Sequence, residues 1–184
     1  MKIAIFASGS GSNAINIINY FKNHQTIQVE FVLTNRKDAL VIEKAKISQT
    51  KVIISDNELV SKSEYLSELC QGIDYIILAG YLRLIPKEFI EIFRGKIINI
   101  HPSILPKFGG PGFYGENVHK AVIESGEKQS GITIHYVNEN FDEGDYISQF
   151  YCQVDSDETY DSLAKKIGSL EQMWFPKVLE SVLI

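Results

Sequence analysis

Asn99 and His101 stand two residues apart at the end of an apolar run, Ile97-Ile98-Asn99-Ile100-His101, and Asp142 follows further along the chain. The run reads as a buried strand. Alternation along that strand puts Asn99 and His101 on one face. Pro102 ends ladder pairing after them and Pro106 keeps the next segment irregular, so the pair sits at the strand's carboxyl end. An amide donor can stabilise a developing oxyanion while an imidazole donates or moves a proton. A carboxylate such as Asp142 can orient the imidazole and favour its charged form. These are the parts of acyl transfer. A lone Asn-x-His is more commonly a turn entry with satisfied polar groups; the whole string Ile98-Asn99-Ile100-His101-Pro102-Ser103-Ile104-Leu105-Pro106 is far more specific.

A second place for chemistry is Ser8-Gly9-Ser10-Gly11-Ser12-Asn13, between a first strand and a helix. Backbone N–H groups of Gly11, Ser12 and Asn13 at a helix N-terminus suit a phosphate. A plain strand-to-helix turn is the simpler reading. A third is a dinucleotide fingerprint, since Gly9-x-Gly11-x-x-Ala14 fits it loosely. That fingerprint expects an acidic residue after the second strand, where this chain has Thr34-Asn35-Arg36-Lys37. Arg36 suits NADP rather than NAD, so an NADP-dependent oxidoreductase stays open as an alternative. It gives Asn99 and His101 no role.

The elements that position these residues alternate between strand and helix. Strands are expected at residues 1–7, 29–34, 51–54, 75–79 and 96–101, and helices at residues 14–21, 63–70 and from about Ala39, with Asp38 as its cap. The next helix places Pro86 in its first turn. Beyond a glycine cluster, a helix at residues 117–125 precedes two β segments, 131–137 and 146–154, near enough to be antiparallel. A long helix with Tyr160, Leu163, Ala164, Ile167 and Leu170 at helical spacing closes the chain, its start assigned to the acidic Asp155-Ser156-Asp157-Glu158. The expected fold is α/β: a Rossmann-like, mostly parallel twisted sheet with helices on both faces and an antiparallel edge. Ligands bind beyond the carboxyl ends of such strands.

The 184 residues, 45% hydrophobic and 22% charged, fit one domain with an ordinary core. A net charge of −5 with no basic stripe argues against nucleic acid as a partner. No apolar run is long enough to span a bilayer, and no signal peptide is evident, so a cytoplasmic location is expected. Cys70 and Cys152 are isolated and read as free thiols; no residues have metal-ligand spacing. His24 and His119 read as surface residues, and His135, in an apolar β segment, as a structural or supporting histidine.

The string from Asn99 to Pro106 resembles the Asn-x-His-Pro-Ser-Leu-Leu-Pro motif of the formyltransferases that use 10-formyltetrahydrofolate, with Ile104 in place of Leu. The resemblance runs over essentially the whole chain. Residues 8–13 are similar to the family's phosphate loop, and Leu78-Ala79-Gly80-Tyr81-Leu82-Arg83-Leu84-Ile85 to its folate-lining segment. Phe141-Asp142-Glu143-Gly144-Asp145 resembles the loop with its catalytic aspartate, and Leu170-Glu171-Gln172 with Pro176 the region of an acidic residue near the substrate amine. Members that formylate tRNA carry a further domain and basic surface, hydrolases carry a regulatory domain, and sugar formyltransferases are usually longer. The branch formylating glycinamide ribonucleotide is the better fit.

The resemblance implies formyl transfer from 10-formyltetrahydrofolate, as cosubstrate, to the amine of glycinamide ribonucleotide in de novo purine biosynthesis, without a metal. It implies a single formyltransferase catalytic domain over residues 1–184, a monomer or weak homodimer, with neither nucleic acid nor membrane as partner. Asn99, His101 and Asp142 would be catalytic; Gly11, Ser12, Asn13 and Glu171 would bind the ribonucleotide. Lys62, Leu82, Arg83, Leu84, Ile85 and Asn99 would contact the folate. Another folate-dependent formyltransferase, or a formyltetrahydrofolate hydrolase, is the alternative within the family. Residues 107–119 are longer and richer in glycine than the family's common form. Gly109, Gly110, Gly112 and Gly115 make residues 107–115 costly to hold rigid, so this segment is expected to be a mobile cover on the folate side.

Overall fold

The computed structural model describes residues 1–184. Seven strands join one sheet: β1 (Lys2–Phe6), β2 (Gln28–Thr34), β3 (Lys51–Ile54), β4 (Tyr75–Leu78), β5 (Ile97–His101), β6 (Gln129–Tyr136) and β7 (Tyr146–Gln153). Their order is β3-β2-β1-β4-β5-β6-β7. The first five pair in parallel, and β6 and β7 add antiparallel strands at one edge. The expected architecture is what forms.

Alternation along the central strands builds two cores. Ile3, Ile5, Ile77, Ile98 and Ile100 face one side, where α1 (Ser12–Phe21), α2 (Val41–Ile47) and α7 (Tyr160–Leu183) supply Ile17, Val41, Leu163 and Phe175. Ala4, Phe6, Ile76, Leu78 and Ile97 face the other, against Val60 of α3 (Asn57–Val60), Leu66 of α4 (Ser63–Leu69) and Phe89 of α5 (Lys87–Ile92). Burial on both faces explains why these parallel strands are almost wholly apolar. Asn99 and His101 continue the Ile97 row. In register beside them on β6 stand His135, opposite Asn99, and Thr133, opposite His101. A row of polar side chains thus ends an otherwise apolar sheet face.

The structure corrects several helix starts. α2 begins at Val41, because Asp38 turns away to pair with Arg36 at 2.9 Å and caps nothing. Pro86 sits just before α5 rather than inside its first turn. α3 is an extra turn of helix, capped by Asp56 accepting from the Leu59 N–H. α7 is started by a capping box between Thr159 and Ser162, while Glu158 of the acidic run binds Ser162 and Lys166. Between β5 and α6 (Glu116–Glu124), Thr133 fixes the irregular turn: its hydroxyl donates to Ser103 O at 2.8 Å and accepts from Leu105 N–H at 3.0 Å. No helix is long and apolar enough to cross a membrane.

Loss of a Ser or Thr helix cap typically costs ~1 kcal/mol. Thr159→Ala should lower unfolding free energy by about that amount in a denaturant titration, with the cooperativity of the transition unchanged.

Candidate active site

Loops at the carboxyl ends of β1, β4 and β5 enclose a cavity of about 540 Å³, in the size range of small-molecule sites. It lies where the strand order reverses, between β1 and β4. Ser8 binds these ends together: its hydroxyl donates to Asn35 Oδ1 at 2.6 Å and accepts from the Leu82 N–H at 3.0 Å. Leu82, Arg83, Leu84 and Ile85 line one wall, joined by Val137 and Phe141. Gly11, Ser12, Asn13 and Glu171 line another, and Asn99, His101 and Asp142 lie in the same cavity. All three groups of residues singled out by sequence meet here, save one.

Asp142 is the hub of the catalytic candidates. Its Oδ2 lies 3.4 Å from His101 Nδ1 and accepts from the Gly110 N–H at 2.9 Å. Its Oδ1 lies 3.5 Å from Asn99 Nδ2 and 3.7 Å from His135 Nε2. Burial alone would raise this carboxyl's pKa, but hydrogen bonds with both histidines, the His101 charge and the Gly110 amide outweigh it and hold the pKa well below the usual carboxylate range. The sign follows: the ionised group stabilises the fold above its unfolded pKa of about 3.9, and that contribution is lost as pH falls through the depressed folded value. Asp142 also has φ of 58°, a conformation uncommon outside glycine, which Asp and Asn tolerate best. Gly109 lets the chain pass this close. A Cβ there would lie 2.4 Å from Leu105 Cδ2 and 3.2 Å from Asp142 Cβ.

His101 is buried, and both ring nitrogens face acceptors, with Nε2 donating to Phe108 O at 2.7 Å. His135 Nδ1 lies 2.9 Å from Tyr136 O, a group that can only accept, so Nδ1 carries a proton, while Nε2 lies 3.1 Å from Asn99 Nδ2. His135 and Asp142 thus both contact the Asn99 amide, the latter at 3.5 Å. The first half of the glycine segment is anchored directly on the catalytic candidates, through Phe108 and Gly110, rather than lying apart from them.

On the opposite wall Gly11 precedes α1 with φ of 73°, and no side chain caps the helix. A Cβ on Gly11 would fall 2.5 Å from Val41 Cγ2, so α2 itself requires glycine there. The Asn13 side chain is spent on α7, donating to Glu171 Oε2 at 2.9 Å and accepting from Gln172 at 3.1 Å. That leaves the backbone amides to face a ligand. Burial raises the Glu171 pKa, opposed by the Asn13 hydrogen bond and the His101 charge.

The formyl transferase family model matches residues 1–179. The chain belongs to the formyl transferase family. It is 38% identical to the chloroplastic phosphoribosylglycinamide formyltransferase of Arabidopsis thaliana over 98% of its length, spanning 65% of that protein. To the phosphoribosylglycinamide formyltransferase of Bacillus subtilis it is 33% identical, over 99% of this chain and 94% of that one. The crystal structure of phosphoribosylglycinamide formyltransferase from Bacillus halodurans superposes with a TM-score of 0.88 at 35% identity, covering 100% of this chain and 95% of the other. The chain thus spans somewhat under two-thirds of the plant relatives' length and nearly all of the bacterial ones.

Three expectations about this formyl transferase change. Lys62 does not reach the cavity: it pairs with Glu58 at 2.8 Å on the surface. Arg36, the residue suited to NADP, is engaged by Asp38 through both Nε and Nη2. His119 is no surface residue but a buried one lining the cavity, its pKa lowered by burial and by the His101 charge against a smaller opposing pull from Glu116. Its place beside Val118 and Val122 on the buried face of α6 was the available signal. His135 carried less: period-2 alternation with Thr133 marks a shared face, but only strand pairing puts it beside Asn99.

Because the Glu171 pKa is raised in the folded state, its charge opposes folding above the unfolded value of about 4.3. Glu171→Gln should raise the melting temperature at pH 7.5 and leave it nearly unchanged at about pH 3, where both states are protonated. Calorimetric scans at the two pH values check this.

Proposed function

We propose that this chain transfers the formyl group of 10-formyltetrahydrofolate to the amine of glycinamide ribonucleotide, in de novo purine synthesis. The observation that carries the reading is one cavity lined both by a loop suited to phosphate and by Asn99, His101 and Asp142, with Glu171 hydrogen-bonded to the loop. The names of the relatives at 33–38% identity support it. Apolar Leu82, Leu84, Ile85, Val137 and Phe141 suit the flat ring of a folate beside the catalytic side chains, and Arg83 suits its carboxylates. Residues 1–184 act as one catalytic unit, a monomer or weak homodimer in the cytoplasm.

The amine nitrogen attacks the formyl carbon, and the carbonyl oxygen takes up negative charge. Asn99 Nδ2 donates to that oxygen with the hydrogen held only loosely by Asp142. His101 donates through Nε2, so the oxygen replaces Phe108 O there. The bond from carbon to the folate nitrogen then breaks, and the proton given up by the amine passes to that nitrogen through His101 and water organised by Asp142. Glu171 positions the amine. Backbone amides of Gly11, Ser12 and Asn13 hold the phosphate, which fixes the amine's approach.

Displacement of Phe108 O requires residues 107–115 to move in each turnover. Proteolytic nicking within residues 109–115 should slow when a folate analogue is bound; complete protection without ligand would overturn the mobile cover. Purified protein should formylate glycinamide ribonucleotide with stoichiometric loss of 10-formyltetrahydrofolate. Formate release that ignores the amine would make the chain a hydrolase, and NADPH binding without folate binding would restore the dinucleotide reading. Asp142→Asn should lower kcat by about a hundredfold or more with much smaller changes in both KM values. His101→Asn should be comparably damaging, and the double variant little worse than the worse single one, because the two act as a unit.

A further inference from the structure

Behind the phosphate loop, α2 makes three contacts that its sequence does not advertise. The Val41 N–H donates to Gly9 O at 3.2 Å, and the Val41 side chain fills the space a Gly11 Cβ would need. One turn on, the Lys44 ammonium donates to Ser10 O at 2.8 Å, while no carboxylate pairs with it. In a trans peptide the carbonyl and the following N–H point in opposite directions. Holding Gly9 O and Ser10 O toward α2 therefore turns the N–H groups of Ser10 and Gly11 away from α2, where both residues line the cavity. They join the first-turn amides of α1, which no side chain caps.

We propose that Lys44 is a positioning residue for the ribonucleotide phosphate: its ammonium locks the Ser10–Gly11 peptide so that the Gly11 N–H faces the anion. A cation on a peptide oxygen also polarises the unit and makes its N–H a stronger donor. Glycine at position 11 gives the lock its purpose, since a residue whose φ can change sign lets the preceding peptide turn over. Lys44 acts through the backbone and needs no contact with substrate. This inference rests on the proposed reading of the loop as the site for the ribonucleotide phosphate.

The test compares wild type, Lys44→Met and Lys44→Arg on glycinamide ribonucleotide, on its dephosphorylated riboside, and on 10-formyltetrahydrofolate. Wild type should bind the ribonucleotide far more tightly than the riboside. Lys44→Met should raise KM for the ribonucleotide about tenfold, the scale of one hydrogen bond to a charged group. The riboside and folate constants should stay within twofold, and kcat likewise. Lys44→Arg, which keeps charge and donors, should restore most of the loss. A wild type that binds riboside and ribonucleotide alike overturns the phosphate reading of the loop and this inference with it. A wild type that discriminates, with Lys44→Met discriminating equally well, overturns the role of Lys44 alone. Equal weakening of ribonucleotide and folate by Lys44→Met also overturns it, as would failure of Lys44→Arg to rescue.

Discussion

Around the Asp142 carboxylate, elements far apart in sequence are forced into one arrangement. Two histidines, an asparagine amide and the Gly110 N–H converge on two oxygens, drawing together β5, β6, the glycine segment and the loop before β7. A buried carboxylate is costly without such partners, and its removal would leave the facing donors unsatisfied. The requirement propagates outward. It demands a left-handed conformation at Asp142 itself and a glycine at position 109. The charge is held by geometry and holds that geometry in turn.

The sheet makes this convergence possible through simple periodicity. Isoleucines at positions 98 and 100 go into one core, so positions 97, 99 and 101 share the other face. Where Ile97 is still under α5, the face is apolar; two residues further on it emerges beyond the helices and turns polar. Antiparallel pairing then does what a parallel neighbour linked by a helix would not easily do. It sets His135 directly opposite Asn99 and Thr133 opposite His101, in register, so that β6 supplies both a hydrogen-bond partner for the Asn99 amide and the anchor for the turn after Pro102.

What could be read from the sequence follows from this division. Strand identity, sheet class and the shared face of Asn99 and His101 rest on local alternation, and they form as expected. Gly11, Ser12, Asn13, Leu82, Arg83, Leu84, Ile85, Glu171 and Asp142 are gathered in one cavity, though only resemblance to a family singled out Asp142 and Glu171 among surface-type carboxylates. Failures cluster where a side chain had competing partners. Asp38 prefers Arg36 to a helix end, and Lys62 prefers Glu58 to a ligand. His119 and His135 depend on long-range packing that spacing alone does not encode. Charge within two to four residues is cheap to satisfy on the surface, and so local ion pairs remove residues from roles that motif matching offers them.

The two walls of the cavity are built on opposite principles, and that difference bears on how the site works. The wall of Asn99, His101 and Asp142 relies on side chains already satisfied by one another, so in the proposed reaction a substrate would take over hydrogen bonds that Phe108 O and Asp142 now hold. The wall proposed for the phosphate relies on backbone amides, with side chains such as Asn13 tied back to α7 and carbonyls tied back to α2. A backbone site of this kind is set before the ligand arrives and binds ground state and transition state alike. Side chains that must exchange partners can interact more strongly as charge develops on a reacting oxygen, which is where the proposed reaction would gain differential stabilisation. Glu171 stands on the wall of the loop. Its hydrogen bond to Asn13 couples it to the loop after β1, and burial raises its pKa against the pull of that hydrogen bond and of the His101 charge. In the proposed reaction, anchoring of the phosphate would place the amine beside this carboxylate, because the loop and Glu171 are joined through Asn13.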